Sequence, residues 1–221
     1  MPEARTLVLV RHGETDWNAA GRAQGHTDIG LNATGHAQAT SVARALVGLG
    51  AVRLWSSDLM RAVQTAEHLA AATGLPVEKD ARLREYDVGE RSGLTMPELA
   101  AEFPQEHAAW LADSEDLLVP GAETTEQVRR RVLPALRGCI GALEPGQTGI
   151  VVLHGGCLKI GLMGLLEWPE ELGRSLQGTE NCGYSVLMDS GKQGGLRLTS
   201  YNERAGGAPH RADFVADAPV G

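Results

Sequence analysis

The sequence predicts an α/β fold, a three-layer α/β/α sandwich with a mainly parallel central sheet. Two observations carry that expectation. Thr6 to Val10 and Gly149 to Leu153 are short apolar runs without polar alternation, as suits strands covered on both faces. Around them, apolar residues recur at helical spacing behind recognisable caps, and strands that alternate with helices build parallel sheets between helical layers.

In chain order, the strand Thr6 to Val10 delivers Arg11 and His12 to its C-terminal end. Residues 13–31 are polar and carry Gly13, Gly21, Gly25 and Gly30, which predicts a long loop of the kind that is often functional. Asn32 can cap a helix through Ala37, Val42, Ala45 and Leu46 that stops at Gly48 and Gly50. A strand near Arg53 to Ser56 follows. Asp58 can then cap a second helix through Ala62, Thr65, Ala66, Leu69 and Ala70, closed by Gly74 and Pro76. Thr95 with Glu98, and Thr124 with Gln127, match the capping box, in which a hydroxyl and a later side chain satisfy helix amides reciprocally. Two more helices are expected there. The run ending at His154 is a strand, Leu158 to Leu166 a helix limited by Pro169, and strands near Tyr184 to Met188 and Leu196 to Tyr201 flank a turn at 190–194. Residues 1–204 read as one domain. Residues 205–221, rich in Gly, Ala and Pro, are expected to form a mobile tail.

Composition narrows the function. Apolar residues make up 43% and charged residues 22% of the 221 residues, enough to bury one sizeable core. A net charge of -8 disfavours nucleic acid and anionic membrane surfaces, so an anionic ligand needs a local basic pocket. Cys139, Cys157 and Cys182 are odd in number and widely spaced, which fits a reducing cytoplasm better than a disulfide framework or a zinc site. No apolar run approaches the roughly 20 residues of a membrane span, and no N-terminal export signal is recognised. A cytoplasmic protein is expected.

Arg11-His12-Gly13-Glu14-Thr15 places a fixed cation beside an imidazole, with a glycine that permits close backbone approach. A lone strand-end histidine is most simply a hydrogen-bonded one. Here His154 ends a second apolar strand and precedes Gly155 and Gly156, repeating the setting of His12. A neutral imidazole nitrogen can attack phosphorus and divide one hard displacement into two easier ones, so His12 is the expected nucleophile. A phosphate monoester brings about two negative charges and needs preorganised donors. Arg11, Arg61 and His154 can supply them, and Arg61 falls in a first helical turn, where the dipole favours an anion. Alternatively Arg61 is exposed and paired with Glu67 or Asp58. A leaving alkoxide needs a proton, and Glu85 is the best-placed acid by order, although the residues alone read more simply as a surface pair with Arg82 or Arg84.

These segments resemble the histidine phosphatase superfamily, also called phosphoglycerate-mutase-like, over most of residues 5–202. The pattern comprises Arg11 to Thr15 with Trp17-Asn18, Gln24-Gly25, Leu31 with Gly35 and Gln38-Ala39, Ser56 to Ala62 with Gln64-Thr65-Ala66, Leu83-Arg84-Glu85, Gly93-Leu94-Thr95, and His154-Gly155-Gly156. The resemblance implies that His12 is phosphorylated, that Arg11, Arg61 and His154 form the phosphate pocket, and that Glu85 donates the proton. It also implies substrate contacts from Asn18, from the Gln24-Gly25 segment and from Gly155. No cofactor and no metal are expected, because no Asp/His cluster has ligand spacing.

Two positions depart from the pattern. Leu153 precedes His154, where similar enzymes often carry a small residue, and Cys157 follows the second glycine; both are expected to reshape the back wall of the pocket. The short segment from Tyr86 to Glu90 leads directly to Gly93, and with Glu180 to Leu187 it resembles broad-specificity phosphatases and actinobacterial glucosyl-3-phosphoglycerate phosphatases. The expected partner is a small phosphorylated metabolite, with a homodimer left open. A cofactor-dependent phosphoglycerate-type mutase and a non-catalytic phosphate-binding protein are the alternatives.

Overall fold

The computed structural model describes residues 4–112, 116–189 and 195–205; the turn expected at 190–194 and all but the first residue of the tail lie outside them. Six strands form one sheet: β1 (Arg5–Arg11), β2 (Arg53–Ser56), β3 (Val77–Lys79), β4 (Thr148–Leu153), β5 (Tyr184–Asp189) and β6 (Leu196–Glu203). Their spatial order is β3-β2-β4-β1-β5-β6. The first four run parallel, β5 runs opposite to them, and β6 is antiparallel to β5, so the mainly parallel sheet is as expected.

The helices are α1 (Asp16–Ala19), α2 (Ala33–Leu46), α3 (Met60–Thr73), α4 (Met96–Glu102), α5 (Pro104–Leu111), α6 (Thr125–Gly141) and α7 (Gly155–Leu165). Strand pleating sorts the core into two. Leu7, Leu9, Val151 and Leu153 point toward α6 and α7, while Val8, Val10, Ile150 and Val152 point toward α2 and α3. Successive strand residues face opposite ways, so continuous apolar runs are what a doubly covered sheet requires.

Local signals decide most boundaries. Asn32 caps α2 by accepting from the N–H of Gly35, and both capping boxes form, at Thr95 and Thr124. Gly50 and Gly74 close their helices in the left-handed region, at φ 61° and 75°.

Several expectations need correction. The loop 13–31 contains α1, held by a capping box between Thr15 and Asn18. Asp58 does not cap α3: the cap position is Leu59, with no side-chain bond, because the Asp58 carboxylate is drawn into a bidentate pair with Arg84 at 2.6 and 2.7 Å. α7 begins three residues before the expected Leu158, directly behind His154. Strand β3 and helix α5 were not expected; β3 has three residues on the sheet edge, too short to show a period.

Candidate active site

β1 and β4 are parallel neighbours in a register that pairs Arg11 with Leu153. The next residue of each, His12 and His154, therefore leaves the same sheet edge side by side, where ligands collect in α/β folds. Their ring centroids stand 5.1 Å apart, tilted by 58°. At Gly13 a Cβ would lie 2.6 Å from the Gly35 carbonyl oxygen, so only glycine fits against α2.

The His12 ring is 3% exposed, and its Nδ1 lies 2.7 Å from the Gly13 carbonyl. A carbonyl can only accept, so Nδ1 carries the proton and Nε2 keeps the lone pair. Burial, then the cations Arg61 and Arg11, push its pKa well below the usual histidine value, against the opposing Gly13 bond. The ring is neutral at neutral pH, with a nucleophilic nitrogen.

His154 is fully buried and engaged at both nitrogens. Its Nδ1 accepts from Arg61 Nε at 3.2 Å, because a guanidinium only donates, and Nε2 donates to Ser57 Oγ at 2.9 Å. Burial and Arg61 hold its pKa well below the usual value too. Arg61, also fully buried, donates to the carbonyls of Thr27 and Gly25 at 3.0 and 2.8 Å. Burial lowers its pKa to about 10, so it stays cationic. The alternative surface pairing of Arg61 with Glu67 or Asp58 is overturned. Arg11 donates from Nη1 to the Thr179 carbonyl at 2.6 Å.

Glu85 is no surface partner of Arg82 or Arg84, which pair instead with Asp80 and Asp58. Its Oε2 accepts from the N–H of Gly156 at 2.9 Å, and Oε1 from those of Cys157 and Tyr86 at 3.1 and 3.0 Å. The carboxyl thus closes the start of α7, where a helix favours an anion. Arg131 of α6 fixes the segment from behind by donating to the carbonyls of Arg82, Arg84 and Glu85 while paired with Glu123.

Arg11, His12, Arg61, Glu85, Asn18, Gln24 and Gly25 line one pocket, completed by Ala23, Val88 and Arg91. Asn18 Oδ1 accepts from the Thr15 N–H and from Asn181, and Gln24 Oε1 accepts from Thr15 Oγ. His154 and Gly155 adjoin this lining: the His154 ring lies beside His12, and the Gly155 Cβ position is 3.5 Å from Arg11 Nε. Leu153 is fully buried among α6 and α7 side chains, and Cys157 Sγ bonds the Leu83 carbonyl within the same core, while the Cys157 N–H holds Glu85 of the lining. Sequence reasoning missed Arg91 and Arg131 and gave no role to Ser57, although Ser57 lies within the quoted motif from Ser56 to Ala62 and Arg91 directly follows the segment from Tyr86 to Glu90.

Among the described residues no group of three or more His, Cys, Asp or Glu could hold a metal ion, and no helix is long and apolar enough to cross a membrane. The sequence matches the family described as the histidine phosphatase superfamily (branch 1) over residues 7–204. A curated relative from Salmonella paratyphi C (strain RKS4594), named "Probable phosphoglycerate mutase GpmB", is 38% identical over 167 residues, covering 74% of this chain and 77% of that protein. The solved structure of a mycobacterial glucosyl-3-phosphoglycerate phosphatase with VO3 is 34% identical at a TM-score of 0.81, over 90% of this chain and 99% of that one. A phosphoserine phosphatase from Entamoeba histolytica, in complex with 3-phosphoglyceric acid, is 29% identical at a TM-score of 0.77, over 90% and 97%. With the strand-edge histidines, the buried arginines and the family match in agreement, the chain belongs to the histidine phosphatase superfamily, branch 1.

Proposed function

We propose that this enzyme hydrolyses small phosphorylated metabolites by passing the phosphoryl group through His12. The observation that carries this reading is the 2.7 Å contact of His12 Nδ1 with the Gly13 carbonyl, which leaves the Nε2 lone pair for phosphorus.

In the first step the Nε2 lone pair forms the N–P bond as the P–O ester bond breaks, and the leaving alkoxide takes the proton of the Glu85 carboxyl. In the second, Glu85 takes a proton from water as the water oxygen displaces Nε2 from phosphorus, so phosphate leaves and both residues return to their starting states. Arg11 and Arg61 face the phosphoryl oxygens, and Asn18, Gln24 and Gly25 bound the substrate. His154 holds the Arg61 guanidinium from behind through its Nδ1, which makes it a positioning residue here. Fixed guanidiniums supply the charge stabilisation that a metal provides in other phosphatases.

Relatives named for glucosyl-3-phosphoglycerate and phosphoserine favour a phosphorylated organic acid such as glucosyl-3-phosphoglycerate over a neutral sugar phosphate. The relative named as a mutase supports phosphoglycerate mutase activity as the second reading. Incubation with a radiolabelled phosphate ester and chelator, followed by acid-base mapping of the trapped protein, tests the proposal. Label that is stable to alkali, labile to acid and located on His12 is the expected result. Activity abolished by chelator, or label elsewhere, overturns it.

A further inference from the structure

We infer that His26 is a positioning residue whose imidazolium straps the segment clamping Arg61 to the segment carrying Glu85, so that turnover depends on its proton. The inference rests on the phosphatase reading and adds a means of regulating that site.

His26 stands between the two carbonyls that hold the Arg61 guanidinium, which donates to Thr27 on one side of it and to Gly25 on the other. The His26 ring reaches the opposite wall. Its Nε2 lies 2.8 Å from the Glu85 carbonyl oxygen, and its Nδ1 lies 3.6 Å from Asp87 Oδ2. The two segments already touch: the Gly25 Cβ position is 2.6 Å from Val88 Cγ2, and Thr27 Oγ1 meets Ser92 Oγ at 2.6 Å. The ring thus ties the backbone that fixes Arg61 to the backbone that carries the proposed proton donor.

The partners decide which charge state this tie needs. A carbonyl can only accept, so Nε2 carries a proton. In the neutral ring Nδ1 would then turn its lone pair toward the Asp87 carboxylate, whereas in the imidazolium both nitrogens donate. Two further carboxylates lie within electrostatic reach of the ring, Asp58 before α3 and Glu123 before α6. They are paired with Arg84 and Arg131, and Arg131 shares the Glu85 carbonyl with His26 at 2.7 Å. Asp87 accepts the Gly89 N–H at Oδ1 and turns Oδ2 to His26. The His26 side chain is 30% exposed, so unlike the buried rings of His12 and His154 it exchanges its proton with water while the protein stays folded.

Steady-state kinetics on p-nitrophenyl phosphate test this, because its phenolate needs little protonation and so mutes the titration of Glu85 itself. From about pH 6 to about pH 8, where imidazoles lose their charge, wild-type kcat should fall about tenfold, on the scale of one charged hydrogen bond. His26→Gln, which donates to the Glu85 carbonyl without a charge, should start about tenfold lower at the acid end and stay level, so that the two profiles converge. KM should move less than kcat. His26→Arg, with a fixed charge, should restore kcat and remove the fall. Asp87→Asn, which keeps the acceptor for Gly89, should move the wild-type fall to lower pH by about half a unit, as the loss of a partly exposed ion pair implies. A ratio of wild type to His26→Gln that stays constant with pH, as a merely structural histidine would give, overturns the inference. So does an active wild type whose kcat is level across the range, a result that needs no variant to fold. A wild type that releases phosphate from no ester removes the phosphatase reading and this inference together.

Discussion

His12 and His154 occupy matching places and hold different equipment. Each follows the last residue of a central parallel strand, each is buried, and each is held neutral by desolvation and a nearby Arg61. Yet His12 spends one nitrogen on a backbone carbonyl that can only accept, while His154 spends both, on Arg61 and Ser57. A strand-edge location brings both imidazoles to one place; in the proposed mechanism their polar partners decide which attacks and which braces.

The strongest way to break this contrast is to exchange the losses. His12→Ala should lower turnover by about 10³ or more and abolish the trapped phosphoprotein. His154→Ala should lower kcat/KM by about 10² while the phosphoprotein still forms, since Arg61 loses its partner but Nε2 of His12 remains. Labelling both variants with a radioactive ester decides it: label persisting in His12→Ala assigns the nucleophile elsewhere.

Glu85 sharpens the His154 side, because it closes the helix that begins directly after that residue. Both its oxygens accept from backbone amides, so in Glu85→Gln the new NH2 must face an N–H. That mismatch should cost about 1–3 kcal/mol of stability in urea unfolding. It falls on all substrates alike, so the ratio between substrates isolates proton donation. The loss should be about tenfold or more greater for an alkyl phosphate than for p-nitrophenyl phosphate, whose phenolate leaves with little help. Equal losses would argue that Glu85 is only a cap.

Acid titration tests what the two rings share. The unfolded chain binds their protons near pH 6.5, the ordinary histidine value, whereas the folded protein resists doing so. Stability contributed by the neutral rings is therefore intact above that pH and falls as the pH drops toward the depressed folded values. The slope should be about 1.4 kcal/mol per pH unit for each histidine. Urea unfolding in phosphate-free buffer between about pH 6 and about pH 5 measures it, and His12→Ala should flatten the curve by one histidine's share. An unchanged slope would mean that His12 titrates normally.

Ser57→Ala makes the smallest change. It removes the oxygen that receives the His154 Nε2 proton and should cost about 1 kcal/mol and a few-fold in kcat/KM, with the phosphoprotein unaffected. Loss of the phosphoprotein would place Ser57 with the nucleophile rather than with the brace.

Much of the site is legible along the chain because apolar runs report their own ends. The strands ending at Leu153 and Arg11 advertise both histidines, and helical spacing after Ser57 puts Arg61 in a first turn. Capping boxes are equally local, and both expected ones form. Asp58 shows where local reading fails: its cap chemistry was sound, but Arg84, 26 positions later, offers a charged bidentate partner instead. Glu85 illustrates the converse, an apparent surface acid that two backbone amides draw to the start of a helix 70 positions away.

The sequence by itself determined the doubly covered sheet, the order of its main elements and the two strand-edge histidines, since periodicity and caps act over a few neighbouring residues. Only the tertiary structure decided which imidazole keeps a lone pair, where Glu85 sits and that Arg91 joins the pocket. Those outcomes depend on hydrogen-bond partners brought together from distant segments, and a buried polar group takes whichever partner the packing places within reach.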